Sequence, residues 1–218
     1  MSFTQAQSIY ASAHEDGLND LLLAFYNSRP RYFNYGSGIY APATTAAVTS
    51  VPTIPFPGIA GGIPYRISLD TPRIDLDRDS NIFPQLPPGQ GQFTLGTIAH
   101  IGVGCADLSG GRGADPNFRT VETHLRVLAR GKLTATYSGP GTGELSLNID
   151  QVEIVDIRPD HLENVVECLM RMILQVMLSD IRIPFRAISL GAFLPPCALT
   201  LQNGPNTEED QVKIYGDI

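Results

Sequence analysis

The run Asp75-Leu76-Asp77-Arg78-Asp79-Ser80-Asn81 sets oxygen-bearing side chains at every second position. Hard cations such as calcium take roughly six to eight oxygen ligands, so Asp75, Asp77 and Asp79 are candidate calcium ligands. A calcium loop of the EF-hand type also needs Gly at its sixth position and Glu at its twelfth. Those positions hold Ser80 and Leu86. The competing reading is a solvated strand face opposite Ile74 and Leu76. His100, His124 and His161 are candidate general bases, with Cys105 or a serine as nucleophile. No G-x-S-x-G elbow is present, although a serine nucleophile of that type needs one. His124 falls on the polar side of an alternating run and His161 in the first turn of a helix, so both read as solvated positions. Gly102, Gly104, Gly110, Gly111 and Gly113 match neither G-x-G-x-x-G nor the P-loop and read as a hairpin turn. The expectation is therefore a protein that is not an enzyme and uses no cofactor.

Composition narrows the partners. Of 218 residues 17% are charged, against an average of about 25%. The net charge is −7, which argues against a nucleic-acid footprint and against a general grip on anionic headgroups. The hydrophobic share is 43% and the mean hydropathy +0.00, enough for a core and too much for a disordered chain. The 21 glycines and 17 prolines point to many turns and a β-rich, loop-bearing chain. Cys105, Cys168 and Cys197 are too few and too widely spaced for a disulfide framework or a zinc site. The start, MSFTQAQS, shows no charged segment followed by an apolar one, and no apolar run is long enough to span a membrane. The expected setting is the cytoplasm, with no transmembrane segment.

Residues 3–27 carry apolar side chains at helical spacing: Phe3, Ala6, Tyr10, Ala13, Gly17, Leu21 and Ala24, widened by Leu18, Leu22 and Phe25. This predicts an amphipathic helix. Residues 32–65 form an apolar, proline-rich linker without one charged side chain. It is read first as a cover for an open sheet edge, then as a subunit interface, then as a membrane contact or lipid gate. Over 65–157 the period becomes two, which predicts a four-stranded meander. Its apolar parity switches at Pro72, which reads as a bulge in one long strand or as two short strands, and once more after Asp150. Residues 80–91 read as a turn. Asp160 and Glu163 cap a second helix over 160–180, with a stripe of Leu162, Val165, Val166, Leu169, Ile173, Val176 and Met177. Of Met170, Met172 and Met177, only Met177 sits squarely on that stripe. Strands follow over 183–218.

Strands as long as the run 118–137, greasy on one side, cannot stay flat and bare in water. The predicted fold class is therefore α+β, one domain over 1–218, with a long, strongly curved antiparallel sheet wrapped around amphipathic helices. The alternating strands and the helix from Leu162 to Met177 resemble the tubular lipid-binding superfamily, in which such a sheet wraps a long helix. That resemblance implies a non-catalytic protein holding a fatty acid or phospholipid between helix and sheet. Candidate lining residues are Phe93, Leu95, Ile101, Val103, Val121, Leu125, Val127, Leu147, Leu169, Ile173 and Met177. The alternative is a structural or assembly protein that meets a second copy or another protein through 32–65.

Overall fold

The computed structural model describes residues 9–40, 47–55, 57, 61–105, 119–139, 142–155, 160–179, 181–186, 200–208 and 210–217. In chain order these form β1 (Ile9–His14), α1 (Glu15–Ser28), β2 (Asn34–Gly36), β3 (Thr49–Ser50), β4 (Tyr65–Leu69) and β5 (Arg73–Asp75). Then come β6 (Gln92–Cys105), β7 (Arg119–Gly139), β8 (Thr142–Val155), α2 (Asp160–Ser179), β9 (Arg182–Arg186), β10 (Thr200–Glu208) and β11 (Gln211–Asp217). The large sheet runs β3-β2-β4-β6-β7-β8-β9, with β5 also paired to β6, and a small sheet runs β1-β11-β10. Every pairing is antiparallel except β2 with β3.

β7 has 21 residues. Straight, it would run about 70 Å, beyond the roughly 45 Å width of a compact chain of this length. The large sheet is strongly curved, and two irregularities in the strand ladder lie where the apolar parity switches. Leu69 pairs with Ala99 and Arg73 with Gly96, so β4 and β5 carry one residue more than the stretch of β6 they face. The kink is held by the Asp70 N–H donating to the Ile98 carbonyl (2.9 Å) and the Thr97 hydroxyl donating to the Asp70 carbonyl (2.8 Å). This bond also explains a threonine on the apolar row. On β8, Ile149 faces Gly131 and Gln151 faces Arg130, leaving Asp150 as the extra residue. A Cβ on Gly131 would strike the Asn148 carbonyl and lie 2.8 Å from the Phe93 ring, so only glycine fits there.

One apolar cluster joins the odd positions of β6 and β7 to β4, β5, β8, both helices and Val212 and Ile214 of β11. Both helices thus lie on the apolar face of the large sheet. On the opposite face Phe83 and Leu86 pack over Leu128. The Leu86 carbonyl accepts from the Thr94 hydroxyl at 2.7 Å. Residues 80–91 are therefore a flap over one end of the outer face rather than a bare turn.

Three readings need correction. The helix predicted over 3–27 begins at Glu15. Residues 9–14 pair instead with β11, because Ile9-Tyr10-Ala11-Ser12-Ala13-His14 can satisfy its backbone in a ladder. His14 then caps α1, its Nδ1 accepting from the Asp16 N–H at 3.2 Å. Residues 1–8 lie outside the described residues. The buried side of α1 is Leu18 and Leu22 with Phe25 and Tyr26, and Leu21 and Ala24 face outward. In α2 the buried side is Met170, Ile173, Leu174, Met177 and Leu178, while Val176 is 57% exposed. Met170 is thus core, and the stripe is rotated from the predicted one. The side chains of Leu162, Val165, Val166 and Leu169 lie outside the described residues. Finally, 32–65 is not a plain linker. β2 and β3 extend the sheet beyond β4, and Phe33 is fully buried against Phe25 and Tyr26. Residues 41–46, 56 and 58–60 lie outside the described residues.

Candidate functional site

Six of the eleven predicted lining residues lie together in one buried cluster. Phe93, Leu95, Val127, Leu147, Ile173 and Met177 are buried in the single large cluster, with Ile101 and Leu125 at its margin. Val103 is half-buried, and the side chains of Val121 and Leu169 lie outside the described residues. The structure thus places these side chains against one another. Beside them, α1 meets the sheet along an aliphatic seam: Leu18, Leu21 and Leu22 of α1, Ile74 of β5, Leu147 of β8, and Ile181 and Ile183 at β9. The seam encloses about 10 Å³, room for one water at most. Leu21 stands at its mouth, 40% exposed. Asn19 clamps α1 to β5. Its amide donates to the Ile74 carbonyl (3.0 Å) and accepts from the Ile74 N–H (2.7 Å).

The outer face of β4, β6 and β7 carries a second feature, an open polar cleft of about 250 Å³. Strand register builds it. Ser68, His100 and His124 form one row across three strands, and Arg66, Gly102 and Glu122 the next. All lie at even positions, away from the core. Asp70 Oδ1 is 2.9 Å from His100 Nε2. The His100 and His124 rings meet edge to face, with centroids 4.5 Å apart. Arg66 pairs with Glu122 and lies over the Tyr40 ring. His124 was expected to be solvated. Its partnership with His100 is what sequence reasoning missed, because alternation tells which face a residue takes but not which neighbour it meets.

The aspartate run behaves differently from either expectation. β5 ends at Asp75, so the three carboxylates share no strand face. Asp75 turns inward and is 1% exposed. Its Oδ1 accepts from the Asp77 N–H (3.1 Å), and Asp77 Oδ1 accepts from the Asp79 N–H (2.9 Å). These carboxylates brace two successive turns. Among the described residues no three Asp, Glu, His or Cys side chains are placed to hold a metal ion.

Asp75 belongs instead to a node of acids where the small sheet meets α1 and β5. Glu15, 7% exposed, accepts from the Leu76 N–H at 3.0 Å, and its own N–H donates to the Asp210 carbonyl at 2.7 Å. Among the described residues Asp75 Oδ2 has no hydrogen-bond partner. Burial pushes both carboxyls above their usual range. For Glu15 the Leu76 N–H offsets this, while Asp210 and Asp75 add to it. For Asp75 the Ser80 hydroxyl and the Asp77 N–H offset it, while Asp77 and Asp210 add to it. Among the described residues no helix is long and apolar enough to cross a membrane. No protein-family model matches this chain, and no curated protein matches it.

Proposed function

We propose that this chain is a non-catalytic binding protein that takes an apolar chain, such as a fatty acid or the acyl tail of a phospholipid, along the seam between α1 and the sheet. The strongly curved sheet then corresponds to the half-barrel of the tubular lipid-binding architecture, closing around its two helices. One observation carries this reading: every side chain lining the seam is aliphatic, and one of them, Leu21, is 40% exposed to solvent. Entry requires α1 to lift. Exposing Leu18 and Leu22 costs about 1.5–3 kcal/mol each, and releasing the two Asn19 bonds about 1 kcal/mol each. Burial of a sixteen-carbon chain contributes roughly 12 kcal/mol before ordering costs, at about 0.8 kcal/mol per CH₂.

The test is native mass spectrometry of the purified protein, followed by delipidation and titration with a fluorescent fatty acid. Expected are co-purified lipid and saturable binding that Leu21→Glu weakens and Asn19→Ala strengthens. Lipid-free protein with no saturable uptake overturns the reading. A second reading, assembly through 32–65, is favoured by the exposed Ile54 beside the β2–β3 edge and by Phe93, Leu95, Val127 and Met177 already filling the interior. Size-exclusion chromatography with light scattering checks it, and a strict monomer excludes it.

A further inference from the structure

We propose that the outer-face cleft is a binding site for a transition-metal dication, with His100 and His124 as its two protein ligands and Asp70 as the residue that positions His100. The two histidines are directly opposite partners on β6 and β7. Such cross-strand partners have Cβ atoms about 4.5–5.5 Å apart, close enough for both side chains to reach one ion. An ion bound about 2.0–2.1 Å from each nitrogen needs those nitrogens roughly 3 Å apart. Rings with centroids 4.5 Å apart are near enough for a change of side-chain rotamer to bring one nitrogen of each to that separation.

The Asp70 carboxylate lies 2.9 Å from His100 Nε2. With Nε2 as the donor to that carboxylate, Nδ1 is the nitrogen left to ligate. A ligating histidine whose other nitrogen donates to a carboxylate is the common outer-shell arrangement around zinc and its neighbours. Among the described residues the His124 nitrogens make no hydrogen bond, and its ring meets only that of His100.

Charge and space agree. Arg66 is paired with Glu122, and the Asp70 carboxylate adds a further negative group at the cleft. Gly102 adds no side chain to the adjoining row, and about 250 Å³ leaves room for water to complete the coordination. Two imidazoles select borderline metals over calcium or magnesium, and affinity should peak at Cu²⁺. With two protein ligands the site needs no third side chain. It is also independent of the seam on the opposite face.

The test is titration of the full chain with CuCl₂, and separately with ZnCl₂, in a non-chelating buffer, with electron paramagnetic resonance of the copper form. The expected result is one copper per chain with two imidazole nitrogens in its coordination plane, bound more tightly than zinc. His100→Ala and His124→Ala should each weaken binding about tenfold or more, with unchanged circular dichroism. Asp70→Asn should weaken it about tenfold while keeping the two-nitrogen signature, which a merely structural role would not produce. His14→Ala, on exposed β1, should leave copper binding unchanged. No copper uptake by the unaltered chain, or equal affinity in the doubly substituted His100→Ala/His124→Ala chain, overturns the proposal.

Discussion

Asp75 pairs almost complete burial with a carboxylate oxygen that meets no donor among the described residues. An unmet buried acceptor costs about 1–3 kcal/mol, and the nearby Asp77 and Asp210 raise the cost of ionisation. Its folded-state carboxyl lies above the ordinary value of 3.8, so folding favours the protonated form. That contribution is complete below the ordinary value and is lost as pH rises through the folded-state value. Glu15 acts with the same sign. Asp75→Asn should therefore stabilise the protein at neutral pH by about 1 kcal/mol, a rise of about 2–4 °C in Tm. The gain should shrink as the medium becomes acidic. Urea midpoints across a pH series measure it, and parallel profiles for both proteins would reject the account. Gly131→Ala should act the other way. With the Asn148 carbonyl and the Phe93 ring where a Cβ would sit, overpacking of about 1–3 kcal/mol is expected, read as a lowered urea midpoint.

At the scale of elements, α2 shows how far a periodic pattern reaches. Its spacing marks a helix, and the helix is there, but a stripe drawn through Val176 differs from the buried one by less than a turn. Leu174 is fully buried and Val176 is mostly exposed. Leu174→Ala should cost about 2–5 kcal/mol by opening a cavity, whereas Val176→Ala should stay within about 0.5 kcal/mol. Denaturant curves of the two variants separate the faces. In α1 the same ambiguity had a further cause. Its first turn follows a segment that reads as helix by spacing, yet becomes a strand because β11 supplies a partner from the far end of the chain.

For the whole molecule, that partnership ties the two ends of the described chain together. Val212, Ile214 and Tyr215 of β11 are buried, and the Asp210 carbonyl accepts the first N–H of α1. Burying three such side chains contributes about 5–9 kcal/mol, comparable with the roughly 5–15 kcal/mol net stability of a typical domain. Deleting residues 200–218 should therefore leave a chain without cooperative unfolding and with α1 open to protease. Near-ultraviolet circular dichroism and limited proteolysis report this, and a truncated chain that melts sharply would show that the small sheet is dispensable.

The long strands, the breaks in parity at Pro72 and Asp150 and the helix over 160–179 were legible in the sequence. Their signals are local: side-chain alternation, a proline or an extra residue that reverses it, and an acidic cap. Alternation even placed His124 on a polar face and Phe93, Leu95 and Val127 inside. What it could not supply was register. The ladder between β6 and β7 depends on where a long connection closes, and sliding it by two residues keeps every face while separating the two histidines. The strand at 9–14, the inward turn of Asp75 and the rotation of both helices were decided in the same way. Each depends on a partner distant in sequence, and contact with that partner exists only once the chain has folded.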